Sequence, residues 1–164
     1  MKHSLKLLFL FTFFFSFLLG CKAEEKAEVK ELTLAPSFEL KDTQQNKISL
    51  NNYKGKKGVI LFFWTTWCPF CRNELSALND ASKELVKDSL ILLAINVGEP
   101  EYKVNNFIKS RKLNLMILLD RDGEVADSYG LLGVPSYFLI NKQGRVVFTS
   151  NHYPKEKIKE LLLK

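Results

Sequence analysis

Gly58-Val-Ile-Leu-Phe-Phe-Trp-Thr-Thr-Trp-Cys-Pro-Phe-Cys71 changes its periodicity midway. From Gly58 to Thr65 it is an almost unbroken apolar run, the pattern of a strand covered on both faces within a parallel sheet. Pro69 ends that run. Cys71, Leu75, Leu78, Ser82 and Leu85 then follow at helical offsets, forming one face of a helix that packs back on the sheet. A buried strand feeding an amphipathic helix is the start of a β-α unit, so the central architecture is α/β. The two cysteines occupy the junction.

The flanking segments extend this unit. Residues 37–40 and 47–50 alternate in polarity around the polar stretch 42–46, which predicts a small N-terminal β-hairpin. Residues 90–97 predict a second apolar strand, and Pro100 opens a helix whose Val104, Phe107 and Ile108 share a face. A third strand is predicted over 113–119, stopped by Asp120-Arg-Asp-Gly123 and followed by a short helix over 124–129. Residues 136–140 and 145–149 read as a second hairpin. Pro154 starts a last helix with Ile158, Leu161 and Leu162 inward. The sum is a mixed central sheet flanked by helices, without internal repeats.

A Cys-x-x-Cys pair at a strand-to-helix junction has a chemical consequence. Free N–H groups and the helix dipole at that position favour thiolate, which is the nucleophilic form of sulfur. Three-residue spacing places the second sulfur one turn on, close enough to close a disulfide. Cys71 belongs to the inward stripe, so it is expected to be shielded while Cys68 stands at the open end; Cys68 then attacks and Cys71 resolves. Other readings of the pair are weaker. Zinc needs further ligands, and the chain has only His3 and His152, so no metal is expected; no cofactor is expected either. Covalent haem attachment needs His where Arg72 stands. A purely structural disulfide would close a very small loop and stabilise little. A peroxidatic P-x-x-x-T-x-x-C motif finds Thr65 in place but Leu61 at the proline position.

The first twenty residues form a separate unit. Six of the thirteen Phe lie there, in an apolar run over 7–19 preceded by Lys2 and Lys6. This is the layout of a signal peptide. Thirteen helical residues span roughly 20 Å, short of a hydrocarbon core of about 30 Å. The run ends in Leu18-Leu19-Gly20-Cys21, which resembles the lipobox of bacterial lipoproteins and implies cleavage before Cys21 with diacylglycerol on its sulfur. The expected organisation is therefore a signal peptide over 1–20, a lipidated cysteine and charged tether over 21–34, and a folded domain over 35–164. Cleavage would remove Lys2 and Lys6 and lower the formal charge of +6 by two, so basicity is weak evidence for nucleic acid, and no nucleic-acid partner is expected. The tether stacks Lys22, Lys26 and Lys30 in one i,i+4 row and Glu24 with Glu28 in another, which opposes a helix there.

Ala35-Pro36-Ser-Phe38-Glu-Leu40, Tyr53-Lys54-Gly55-Lys56, Phe63-Trp-Thr-Thr-Trp-Cys-Pro-Phe-Cys71, Asn96-Val-Gly98 and Gly133-Val-Pro-Ser136, in this order, resemble the thioredoxin superfamily and more narrowly its TlpA/ResA-like membrane-anchored thiol–disulfide oxidoreductases. The resemblance covers nearly all of 35–164. It implies a thioredoxin-like α/β fold with an N-terminal hairpin and an extra helix-containing insertion before a cis-Pro loop. It also implies that Val134-Pro135 is cis and faces the dithiol, with Trp67, Pro69, Val134 and Pro135 docking the substrate. Glu74, three residues after Cys71, matches an acid implicated in proton handling and can act as proton acceptor; Glu99 matches a second acid. A solvated helix-face glutamate remains the alternative for Glu74. Trp64 and Trp67 are expected to shape the surface around the site. Phe70 departs from the family's common proline before the second cysteine. Carried further, the resemblance implies disulfide-containing exported clients such as apocytochrome c, and a membrane electron donor of the CcdA or DsbD kind. An oxidase or isomerase, or a non-catalytic binding module on the same scaffold, are the rival readings.

Overall fold

The computed structural model describes residues 33–87 and 90–162, with side chains given for all but 83–87, 161 and 162. The signal segment, Cys21 and the tether up to residue 32 lie outside the described residues, as do the inward side chains expected at Leu85, Leu161 and Leu162. Contacts divide the chain into Met1–Glu31 and Leu32–Lys164, and the second unit is the folded domain.

Seven strands form one sheet: β1 (Glu39–Asp42), β2 (Lys47–Ser49), β3 (Gly58–Trp64), β4 (Leu90–Val97), β5 (Ile117–Asp120), β6 (Ser136–Ile140) and β7 (Val146–Ser150). Their spatial order is β2-β1-β5-β4-β3-β6-β7. β3, β4 and β5 are parallel, and each edge hairpin joins them through an antiparallel strand, β1 on β5 and β6 on β3. The helices are α1 (Pro69–Lys87), α2 (Glu101–Arg111), α3 (Glu124–Ser128) and α4 (Lys155–Leu162). The insertion before Pro135 includes a strand: β5 joins the N-terminal hairpin to the parallel core.

β3 is buried along its whole length because it is covered on both faces. Side chains alternate across it. Ile60, Phe62 and Trp64 face a layer built from Leu75 and Leu78 of α1, Val104 of α2 and Ile158 of α4. Val59, Leu61 and Phe63 face Phe38, Leu50, Val125 and Tyr129. Each fully buried Leu or Phe in these layers contributes about 1.5–3 kcal/mol of transfer free energy. Trp64, expected at the surface, belongs to the first layer instead; it is wholly buried, with its ring 5.5 Å from that of Phe107. An even position on a doubly covered strand has no route to solvent.

Two boundaries differ from the sequence expectation. β5 starts at Ile117, not at 113, because Lys112 ends α2 in the left-handed region and Leu113 N–H still donates to Ile108 O. Leu113 and Leu115 pack on the core from this connection. Thr33 and Leu34, expected to belong to the tether, are already attached to the sheet: Val146 N–H donates to Thr33 O and Leu34 bridges Arg145. Asp42 closes the first hairpin by accepting from the N–H groups of Gln44 and Asn46 and from Asn46 Nδ2.

Candidate active site

The register of β6 on β3 builds the site. Ser136 pairs with Phe63, so the loop before β6 lies beside residues 65–68 that come after β3. Cys68 takes the N-cap position of α1. Its carbonyl accepts from Arg72 N–H at 3.2 Å, and Pro69, which needs no donor there, opens the first turn. Its sulfur accepts from Cys71 N–H at 3.1 Å, as a capping oxygen would. Cys68 and Cys71 are joined as a disulfide, with Cα atoms 5.3 Å apart.

Both cysteines are buried in this oxidised form. Cys71 is wholly enclosed and Cys68 is only 3% exposed, so the open position expected for Cys68 is not present in this oxidised form, where the disulfide packs both sulfurs into the core. The open elements are the neighbours: Trp67 and Phe70 project outward, and Leu132 stands free on the facing loop. Cys68 Sγ lies 3.7 Å from the Val134 carbonyl oxygen, and the Val134–Pro135 peptide is cis. Beside the disulfide runs a groove of about 650 Å³ bounded by Phe70, Glu74, Leu132, Pro135, Tyr137 and His152.

Glu74 sits one helical turn after Cys71 and is half-buried at the edge of this groove. Its carboxylate accepts a hydrogen bond from the hydroxyl of Tyr137. Tyr137 is wholly buried, its ring stacked on Phe62 at 4.7 Å. Burial, reinforced by the Glu74 carboxylate, holds its hydroxyl far above the ordinary phenol range, so it stays a donor. Sequence reasoning missed Tyr137; its one available signal was a place two residues after Pro135 on a strand of the predicted second hairpin.

Glu99 has a different environment. Gly98, at φ +68°, turns the chain after β4 so that the carboxylate folds back under the active-site loop. There it accepts from Thr66 N–H at 2.6 Å, Thr66 Oγ1 at 2.7 Å and Asn96 Nδ2 at 2.8 Å, with Lys103 Nζ at 2.7 Å. Burial alone would raise its pKa, but the bonds from Asn96, Lys103 and Thr66 outweigh it and hold the carboxylate below its ordinary range. A carboxylate so held is a poor proton acceptor near neutral pH. Glu99, expected as a second acid, instead fixes the backbone two residues before Cys68. Among the described residues no cluster of His, Cys, Asp or Glu could hold a metal ion.

A redox pair at a helix N-terminus, facing a cis-proline loop on a mixed sheet, has counterparts among known proteins. The AhpC/TSA family profile matches residues 33–149. The thiol–disulfide oxidoreductase ResA of Bacillus subtilis is 40% identical over 122 residues, covering 74% of this chain and 68% of the relative. The chain belongs to the AhpC/TSA family and is a ResA-like thiol–disulfide oxidoreductase. The ResA of Geobacillus thermodenitrificans is 37% identical over 139 residues, with 84% and 79% covered. Among solved structures, StoA from Bacillus subtilis superposes with a TM-score of 0.68 at 32% identity, over 80% of this chain and 98% of that one. The exposed lipoprotein thioredoxin of Streptococcus pneumoniae gives 0.69 at 28% identity, over 77% and 100%. In this ResA-like oxidoreductase Trp67 and Pro69 flank Cys68 in the chain, and Val134, which precedes Pro135, brings its carbonyl oxygen to the Cys68 sulfur. No helix among the described residues is long and apolar enough to cross a membrane.

Proposed function

We propose that the protein is a lipid-anchored reductase of exported proteins, acting at the outer face of a bacterial cytoplasmic membrane. The observation that carries this reading is the Cys71 N–H aimed at Cys68 Sγ at the start of α1. After reduction, that donor and the positive end of the helix favour thiolate on Cys68 over Cys71. Cys68 thiolate attacks one sulfur of a client disulfide; a mixed disulfide forms and the other client sulfur leaves as thiolate. Cys71 then attacks Cys68 Sγ, the second client sulfur leaves, and the pair ends oxidised by the two electrons the client has gained. Recharging falls to a membrane donor of the CcdA or DsbD kind, and apocytochrome c is the favoured client; both follow from the ResA-like resemblance. Trp67, Pro69, Val134 and Pro135 dock the client strand beside the pair.

Leu18-Leu19-Gly20-Cys21 supports anchoring through diacylglycerol on Cys21 after removal of residues 1–20, and a structural relative is itself a lipoprotein. The reducing direction follows from Pro69-Phe70, which brings neither charge nor imidazole to stabilise the reduced form further. Equilibration against glutathione tests it: a potential near about −270 mV is expected, and one above about −150 mV would make the protein an oxidase or isomerase.

Glu74 serves as proton acceptor for Cys71 when the mixed disulfide resolves, oriented by the Tyr137 hydroxyl. Glu74→Gln is expected to slow resolution by about a hundred-fold and to displace its pH dependence. Stopped-flow measurement across pH checks this; an unchanged profile removes Glu74 from the chemistry.

A further inference from the structure

Three basic segments of this domain lie at one end of the strands. The segment over 51–58 leads into β3 and holds Lys54, Lys56 and Lys57. Residues 109–116 carry the chain from α2 into β5 and hold Lys109, Arg111 and Lys112. Residues 141–146 turn from β6 to β7 and hold Lys142 and Arg145. None of the three contains Asp or Glu. All lie at the N-terminal ends of the parallel strands, since Ile140 of β6 pairs with Val59 of β3, and Gly55 N–H donates to Lys142 O at 2.7 Å. Except for Lys57, these basic side chains are exposed. α1 ends at Lys87, which Asp88 follows in the sequence. The acids Glu74, Glu99, Glu101, Asp120, Asp122 and Glu124 sit by the C-terminal strand ends, the pole that carries Cys68, together with Lys103 and Lys155; Asp80, next to the Asn79 that accepts from Asn114 N–H, is an acid close to the basic segments.

The N-terminal segment joins the domain at the basic pole. Ala35 N–H donates to Gly144 O and Val146 N–H to Thr33 O, each at 2.9 Å. Whatever holds residue 21 is therefore linked, through about a dozen residues, to the basic end of the domain and not to the cysteine end.

We infer that this basic pole docks on anionic phospholipid headgroups of the bilayer that holds Cys21. The inference rests on the proposed anchoring for its high local concentration, and on the three basic segments for its orientation. Each Lys or Arg near an anionic surface is worth about five-fold in affinity, and the contact is screened within a Debye length. Docking turns Cys68 away from the bilayer, toward exported clients. A membrane-embedded donor requires the contact to release, which a salt-screened contact does.

The test is lysine footprinting of the full chain, processed in and purified from bacterial membranes, then reconstituted into vesicles of phosphatidylcholine alone or mixed with phosphatidylglycerol. A membrane-impermeant amine reagent is read out by peptide mass. Lys56, Lys112 and Lys142 are expected to lose reactivity by about five-fold on the anionic vesicles and to regain it in molar salt, where screening acts within about 3 Å. Lys103 and Lys155, at the Cys68 pole, are expected not to change. The combined variant Lys56→Glu, Lys112→Glu, Lys142→Glu should lose the protection of Lys54 while still reducing a small soluble disulfide at the original rate. Equal reactivity on both vesicles, or equal protection of Lys155, overturns the docking. Protection by inorganic polyphosphate but by neither vesicle assigns the pole to a soluble polyanion and also overturns it. The mass of the Cys21 peptide in the same digest reads anchoring separately: a bare cysteine overturns the anchor, while the lysine pattern still decides the docking.

Discussion

Cys71→Ser is expected to turn the protein from a turnover catalyst into a trap. Cys68 keeps its place at the N-cap of α1 and its hydrogen bond from the backbone N–H of residue 71, because that donor belongs to the main chain. It therefore still attacks a client disulfide. The serine hydroxyl does not displace sulfur from sulfur, so the mixed disulfide on Cys68 persists. Expressed in cells that export disulfide-bonded proteins, the variant should accumulate adducts that run at higher mass on non-reducing gels and collapse on reduction. Cys68→Ser should give none, and its reductase activity should fall to the uncatalysed background. Absence of adducts from Cys71→Ser would leave a non-catalytic binding module as the better reading, and adducts formed by Cys68→Ser instead would reverse the roles of the two sulfurs. Peptide mapping of the trapped partner also tests whether apocytochrome c is the client.

The second large effect is on stability. Glu99→Ala leaves Thr66 N–H, Thr66 Oγ1 and Asn96 Nδ2 without their acceptor and Lys103 without its counter-ion. The Glu99 side chain is only 4% exposed, so solvent cannot replace it where it stands. Leaving a buried donor without its acceptor costs about 1–3 kcal/mol, and Glu99→Ala leaves three, a large share of the roughly 5–15 kcal/mol that stabilises a domain. Glu99→Gln keeps the shape but sets an amide donor among donors, and is expected to cost about 1–3 kcal/mol. Urea unfolding measures both; a loss within experimental error for Glu99→Ala would deny the carboxylate its structural role. The sign with pH comes from the lowered pKa. Glu99 binds fewer protons in the folded state, so its contribution is complete above the ordinary carboxylate value of 4.5 and is lost as pH falls through the depressed folded value. Glu99→Gln should therefore flatten the acid limb of the stability profile. It should also slow disulfide exchange, because Thr66 precedes Cys68 by two residues.

Much of the fold was legible as local pattern. The change from an apolar run to a helical stripe within Gly58 to Cys71 specifies a strand, a junction and a helix, and Cys-x-x-Cys places both sulfurs on that junction; these relations span four residues or fewer and need no partner. The two antiparallel pairs and the order of elements came from the same kind of signal. Trp64 was misjudged because proximity to Cys68 along the chain says nothing about which face a strand residue takes. Leu113 and Leu115 lengthened the predicted β5 because apolar residues that pack from a connection have the same composition as a strand.

What local pattern could not supply is the pairing of distant residues. Tyr137 meets Glu74 across 63 positions, and Thr66 meets Glu99 across 33. Both meetings depend on strand register: β6 sets Ser136 against Phe63, and β4 sets Asn96 against Trp64. A slip of one residue would turn every side chain to the opposite face, so the role of each glutamate is decided by tertiary packing. Glu74 and Glu99 are the same residue type, each near the redox pair. One faces an open groove with a single phenolic donor, and the other is surrounded by donors under a loop. Residue identity set the chemistry each could perform, and the fold alone gave one carboxylate an open groove and the other a shell of donors.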